Sequence, residues 1–245
     1  MLIHPPWVVF GGTEHRQIRF FWDDARVDAD FTNDATDLLD AVAMMSTRAQ
    51  IVVLVGLYEW IVWRFDGLHR RGEPAQILEA AWCATVDPRY LAFFELSREE
   101  WIGPIEGPLW TAFTYLQHGL TQPQAFPADL SDALEFLYQL AMHVVPAAQL
   151  FEQWLGHILQ RFTRQYPPQP EDPFDDLFEH RVGEHLGTLI GRDALDPTVT
   201  VDPARDRDFL IQLFAQARAG KNPFLATTED LEDLGFEGSP YLLPP

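Results

Sequence analysis

A mainly α-helical fold is what this sequence predicts: a compact domain of about ten helices preceded by a small β-hairpin. Three observations carry the prediction. From Asn33 onward apolar residues recur at helical spacing. Acid-proline pairs and glycines mark helix starts and stops along the chain. The hydrophobic fraction of 47%, with 18 Phe and 8 Trp among 245 residues, is enough for a large, well-specified core.

The first thirty residues differ from the rest. Trp7-Val8-Val9-Phe10 is followed by Gly11-Gly12 and then by Gln17-Ile18-Arg19-Phe20-Phe21-Trp22. Two short apolar runs around a glycine turn predict a hairpin within residues 1–32. Leu38, Val42, Met45, Ala49, Val52, Gly56, Trp60 and Trp63 then keep a helical period. Ser46 and Thr47 split that stretch into two helices. The second, Ile51 to Phe65, is apolar on nearly every side, as in a central buried helix.

Later helices are punctuated by residues that satisfy exposed backbone groups. Pro74 follows Glu73, and Asp87-Pro88 and Asp202-Pro203 each set an N-cap acid before a first-turn proline. Ser97 with Glu100 matches a capping box. Pro108 opens a helix to Leu116, with Gly119 as its stop. Asp129 to His143 and Pro146 to Phe162 form a further pair. Tyr166-Pro167-Pro168-Gln169-Pro170-Glu171-Asp172-Pro173 cannot be regular helix, because proline lacks the donor and restricts the residue before it. Residues 166–173 therefore connect the body to a docked C-terminal segment, 174–245. That segment is expected to hold helices at 174–190, 203–219 and 228–234, the last ended by Gly235. Phe224, Tyr241, Leu242 and Leu243 in the tail are expected to pack back onto the body or into a partner.

The functional signal is charge. There are 37 Asp and Glu against 17 Lys and Arg, a formal net charge of −20. Such a surface repels nucleic acid and anionic membrane and attracts basic proteins at long range. The N-terminus has no basic region and no small-residue cleavage site, and the longest apolar run, 51–63, contains Glu59 and is short for a membrane span. A cytoplasmic protein is expected.

Candidate chemistry is sparse. Cys83 is the single cysteine, in an apolar stretch, and reads as a buried inert thiol. His180 and His185, with Glu179 and Glu184, sit five apart, unlike the spacing of zinc-protease helices. No metal or cofactor is expected there or elsewhere. His118, His143 and His157 read as structural helical histidines. Gly11-Gly12 precedes no Gly-Lys-Ser/Thr, so it is not a phosphate loop. Glu59 lies between Tyr58 and Trp60 in the most apolar helix, so its carboxylate must be paired, neutral or lining a cavity. Arg64 is poorly placed to pair with it, and the partner is expected from another element. A functional acid, with Glu79 or Asp66, is the alternative.

The acids fall into three groups. Asp23-Asp24 continues to Asp28, Asp30, Asp34, Asp37 and Asp40; Glu171, Asp172, Asp175, Asp176 and Glu179 form the second; Glu229, Asp230, Glu232 and Asp233 form the third. None has calcium-loop spacing. Asp23, Asp24, Glu171, Asp172, Asp175, Asp176 and Glu179 are the expected partner-binding residues. The function expected is an acidic inhibitor, in its most concrete form an immunity protein or antitoxin occluding a basic toxin's active site. The alternatives are a helical enzyme with a carboxylate pocket near Glu59, and an adaptor or chaperone docking a partner protein.

Overall fold

The computed structural model describes residues 2–10, 16–168 and 186–243. It is a compact helical domain. The helices in chain order are α1 (Val27–Asp30), α2 (Thr36–Val42), α3 (Thr47–Arg64), α4 (Glu73–Ala84), α5 (Gly103–Leu120), α6 (Pro127–Val144), α7 (Ala148–Gln165), α8 (Pro203–Ala219) and α9 (Thr228–Asp233). Single 3-10 turns lie at Asp24–Arg26, Pro88–Tyr90, Arg98–Glu100 and Arg192–Leu195.

The α3 helix is the axis of the molecule. Its split from α2 falls at Ser46, whose side chain accepts a hydrogen bond from the Ala49 N–H at 3.4 Å. Every residue from Ile51 to Val62 is buried. A helix apolar on all sides has no solvent face, so neighbours must wrap it. Helices α4, α5 and α6 pack against it directly, α7 lies beside α6, and α8 packs on the outer side of α4. One hydrophobic cluster runs without a break from Trp7 through this centre to Tyr241.

Several sequence signals act as expected. Asp202 caps α8 by accepting from the Ala204 N–H at 2.9 Å. Asp87 caps the Pro88–Tyr90 turn. Thr227 and Asp230 form a reciprocal capping box at α9, and Gly235 follows with φ +68°. The tail returns to the body: Phe224 and Tyr241 are buried, Leu91 and Leu225 form an antiparallel bridge, and Tyr241 stacks on Tyr90 at 4.4 Å.

Other expectations are corrected. The hairpin does not form among the described residues: neither 7–10 nor 17–22 is strand. The reason is where the groups go. Trp7, Val8 and Phe10 are all buried, so the run does not alternate. Trp7 stacks on Trp154 and Phe10 meets Trp60 edge-on, so both rings belong to the helical core. In the second run, the Gln17 and Phe21 carbonyls bind side chains, Arg64 at 2.9 Å and His143 at 2.8 Å. Backbone acceptors satisfied by side chains need no strand partner.

The helix α5 begins at Gly103, so Pro108 lies inside it and Gly119 is not its stop. Gly103-Pro104 is the operative start, because a first-turn proline loses no helical hydrogen bond. Ser97 makes no side-chain cap, and Arg98–Glu100 is only a 3-10 turn. The helix expected at 174–190 lies mostly outside the described residues, and its end, Leu186–Ile190, is not helical. The expected total of about ten helices is therefore not reached among the described residues.

Candidate protein-binding surface

The acids divide into those consumed by local structure and those left facing solvent. Asp23 accepts from the Ala25 N–H at 3.0 Å and caps the turn that follows it. Asp24 accepts from Trp22 Nε1 at 2.8 Å and pairs with Arg98. Both side chains remain exposed. Their partners are local, so part of their charge serves to fasten the 22–26 turn. Glu171, Asp172, Asp175, Asp176 and Glu179, like His180 and His185, lie outside the described residues. On α9, Asp230 is held by its capping box, which keeps its carboxyl below the usual range. Glu229, Glu232 and Asp233 are exposed.

A different set converges. The helix α2 packs on both α6 and α7. Its entry is fixed by Gln139 of α6, whose side chain bonds both the N–H of Asn33, at 2.9 Å, and the Asn33 carbonyl. Asp34 then caps the first turn, accepting from the Thr36 N–H at 2.9 Å and its hydroxyl at 2.6 Å. Those bonds, the hydroxyl first, hold the Asp34 carboxyl below its ordinary value. Asp34, Asp37 and Asp40 are exposed on this short helix. Asp132 and Glu135 of α6 and Glu152 of α7 are exposed as well.

Tyr138 of α6 sits among them. Its hydroxyl is pushed up first by burial, then by the negative charges of Glu152, Asp34 and Asp37. Carboxylates from two helices besides its own thus act on one half-buried phenol. Behind it the ring lies parallel to Phe151 at 6.2 Å. The arrangement is an acidic surface with an aromatic side chain inside it, which is the composition of a contact for cationic groups. Reading acids by runs along the chain found Asp34, Asp37 and Asp40 but missed Glu152. The polar positions of the α7 helix, read against its apolar face, were the available signal.

Glu59 has the partner expected from another element. Its carboxylate is fully buried and pairs with Arg192 of the 192–195 turn. Trp63 Nε1 donates to Oε1 at 3.0 Å, and Arg192 Nε approaches Oε2 at 3.3 Å. Arg192 also donates to the Ile3 carbonyl at 2.7 Å. Both carboxylate oxygens are occupied and no face of the group is open to solvent. The Glu59 site is a tie between the core, the N-terminal segment and the 192–195 turn.

Cationic groups gather in one shallow groove of 270 Å³ lined by His157, Gln160, Arg161, Arg164, Gln165 and Pro197. Arg161 spends its guanidinium there on four carbonyls, those of Ala194, Asp196, Pro197 and Val199, at 2.7–3.0 Å. Its role is to fold the loop onto α7. Cys83 is buried, and burial pushes its thiol well up, as for an inert core residue. No cluster of three or more metal-ligating side chains exists among the described residues. No helix among them is long and apolar enough to cross a membrane. No family model, curated protein sequence or solved structure matches the chain.

Proposed function

We propose that this protein acts by binding a basic protein, and that it is an acidic inhibitor, in its most concrete form an immunity protein covering the cationic substrate groove of a toxin enzyme. The observation that carries the reading is the net charge of −20 with exposed carboxylates of α2, α6 and α7 gathered around Tyr138. Enzymes that act on phosphate-bearing substrates bind them through Lys and Arg, and carboxylates can occupy the same field. The Asp23-Asp24 pair and the 171–179 acids extend the same surface charge and supply long-range attraction. The capture of Glu59 by Arg192 and Trp63 favours a structural role for that acid over a catalytic one.

The test has two stages. Proteins retained by the immobilised full chain at low salt are eluted on a salt gradient and identified. Association is then measured with the retained basic protein at several salt concentrations. Steering requires the association rate to fall as salt rises, because screening shortens the field to about 8 Å at physiological ionic strength. The double variant Asp37→Lys, Glu152→Lys should slow association several-fold and change dissociation little. A salt-independent association rate, or a partner whose interface is acidic, refutes the proposal.

A further inference from the structure

Residues 186–195 form a strap without regular helix before the 192–195 turn, laid across α3, α7 and α8. Its two ends are clamped. At the start, the Leu186 carbonyl accepts from the Arg48 N–H at 2.7 Å and the Gly187 carbonyl from Arg48 Nε at 2.9 Å. At the end, Trp154 Nε1 donates to the Leu195 carbonyl at 2.8 Å. The middle rests on α8 at one residue. Gly191 lies so close to Asp206 that an added Cβ would fall 2.5 Å from Oδ1 and 2.6 Å from Cα. Asp206 is 2% exposed, and its Oδ1 is buried with no hydrogen-bond partner. The Tyr166 hydroxyl, at the end of α7, is also buried without a partner.

We propose that Asp206 is a proton-controlled clasp, holding the middle of the 186–195 strap closed on α8 when protonated and loosening it when ionised.

The physical case rests on where the carboxyl sits. An ionised carboxylate with a buried, unpartnered oxygen carries a desolvation cost that a neutral acid avoids. The groups facing it do not offset that cost. Asp193 on the strap and Asp202 at the head of α8 are both acids and repel its charge. Tyr166 from α7 is neutral at physiological pH, with its hydroxyl pushed up to about 12 mainly by burial. Arg161 acts on Tyr166, but its guanidinium is bound to the 194–199 carbonyls. The Gly191 N–H is the one neighbour favouring the charged form. The balance lifts the Asp206 carboxyl to about 6, with burial the largest cause.

The sign follows by linkage. A carboxyl raised in the closed state binds its proton more tightly there than when hydrated. Closure is therefore favoured below the ordinary carboxylate range and is progressively lost as pH rises through about 6. A displacement of about two pH units sets a ceiling of about a hundredfold on the change in the opening equilibrium. Opening at Gly191 draws on the neighbouring Arg192, and through it on the Glu59 pair and the Ile3 contact. The clasp thus couples proton occupancy at α8 to the anchorage of the N-terminal segment.

Native-state hydrogen exchange on the full chain at pH 5 and pH 7.5, corrected for intrinsic exchange rates, tests this. The amides of residues 188–193 should open about tenfold or more readily at the higher pH, while α3 amides keep their protection. Asp206→Asn should remove the difference. If that variant does not fold, Asp202→Asn, which keeps a competent cap, should move the midpoint of opening to higher pH than in the wild type? No such ambiguity attaches to its sign: removing a neighbouring negative charge lowers the Asp206 carboxyl, so the midpoint must move to lower pH. Unchanged protection of 188–193 between the two pH values, an equal change in α3, or an undiminished effect in the variant that folds overturns the clasp.

Discussion

At the scale of single residues, the molecule places its buried charges where chain neighbours cannot reach them. Glu59 is the clearest case. That it needed a partner from another element was legible, because a carboxylate inside the helix 51–65 cannot stay bare. That the partner is Arg192 was not legible, since the two are joined only by the way the 192–195 turn crosses α3. Arg48 shows the same economy without a contacting carboxylate. Its guanidinium bonds the Thr85 and Val86 carbonyls and the Gly187 carbonyl, and burial pulls it down to about 10. Removing one member of a buried pair leaves the other uncompensated, so Arg192→Met should destabilise the protein by about 3–5 kcal/mol in urea denaturation. Glu59→Gln should cost less, because the amide oxygen can still accept from Trp63. Partner binding should survive Glu59→Gln; loss of binding in a stable variant would move Glu59 from the scaffold to the function.

At the scale of elements, helix starts were more readable than helix ends or the N-terminal segment. Asp202, Thr227 and Ser46 announce their helices by side chains that bond the first turn, which is local chemistry. Gly119 misled because a glycine at a helix end and a glycine at a helix crossing look alike in sequence. Here it is buried within α5, and an added Cβ would stand 2.6 Å from the Ala133 Cβ of α6 and 3.0 Å from Leu54 of α3. The glycine sets how closely three helices approach. Ala133 has no flexible atoms to move aside, so Gly119→Ala should force α5 and α6 apart and cost about 1–3 kcal/mol, despite alanine's better helix propensity. A thermal melt at or above that of the wild type would show that the crossing can relax. The hairpin misled for a related reason: apolar runs suit a strand or a core filler equally, and Trp7 and Phe10 fill the core beside Trp60 and Trp154.

At the scale of the whole molecule, charge decides more than any motif. The total of −20 is legible from composition, but its placement is not, because Asp37 and Glu152 meet only through the packing of α2 on α7. Like charges on a compact body repel one another more than on an expanded chain, so the folded state carries an electrostatic cost that screening should relieve. The internal ion pairs that oppose this are mostly surface pairs of small worth, such as Arg26–Asp30 at 3.1 Å and Arg71–Glu106 at 3.0 Å. Raising sodium chloride from about 0.02 M to 0.5 M shortens the screening length to a few ångströms, which removes repulsion between separate acidic groups while sparing the buried Glu59 pair. The melting temperature should therefore rise by about 2 °C or more, equivalent to about 1 kcal/mol for a chain of this size. Reversing Asp37 and Glu152 to lysine should raise it at low salt and shrink the salt response, the same change that should slow association with a basic partner. A melting temperature that is flat or falls with salt would mean that local pairing already balances the acids, and the excess charge would then exert no strain on the fold.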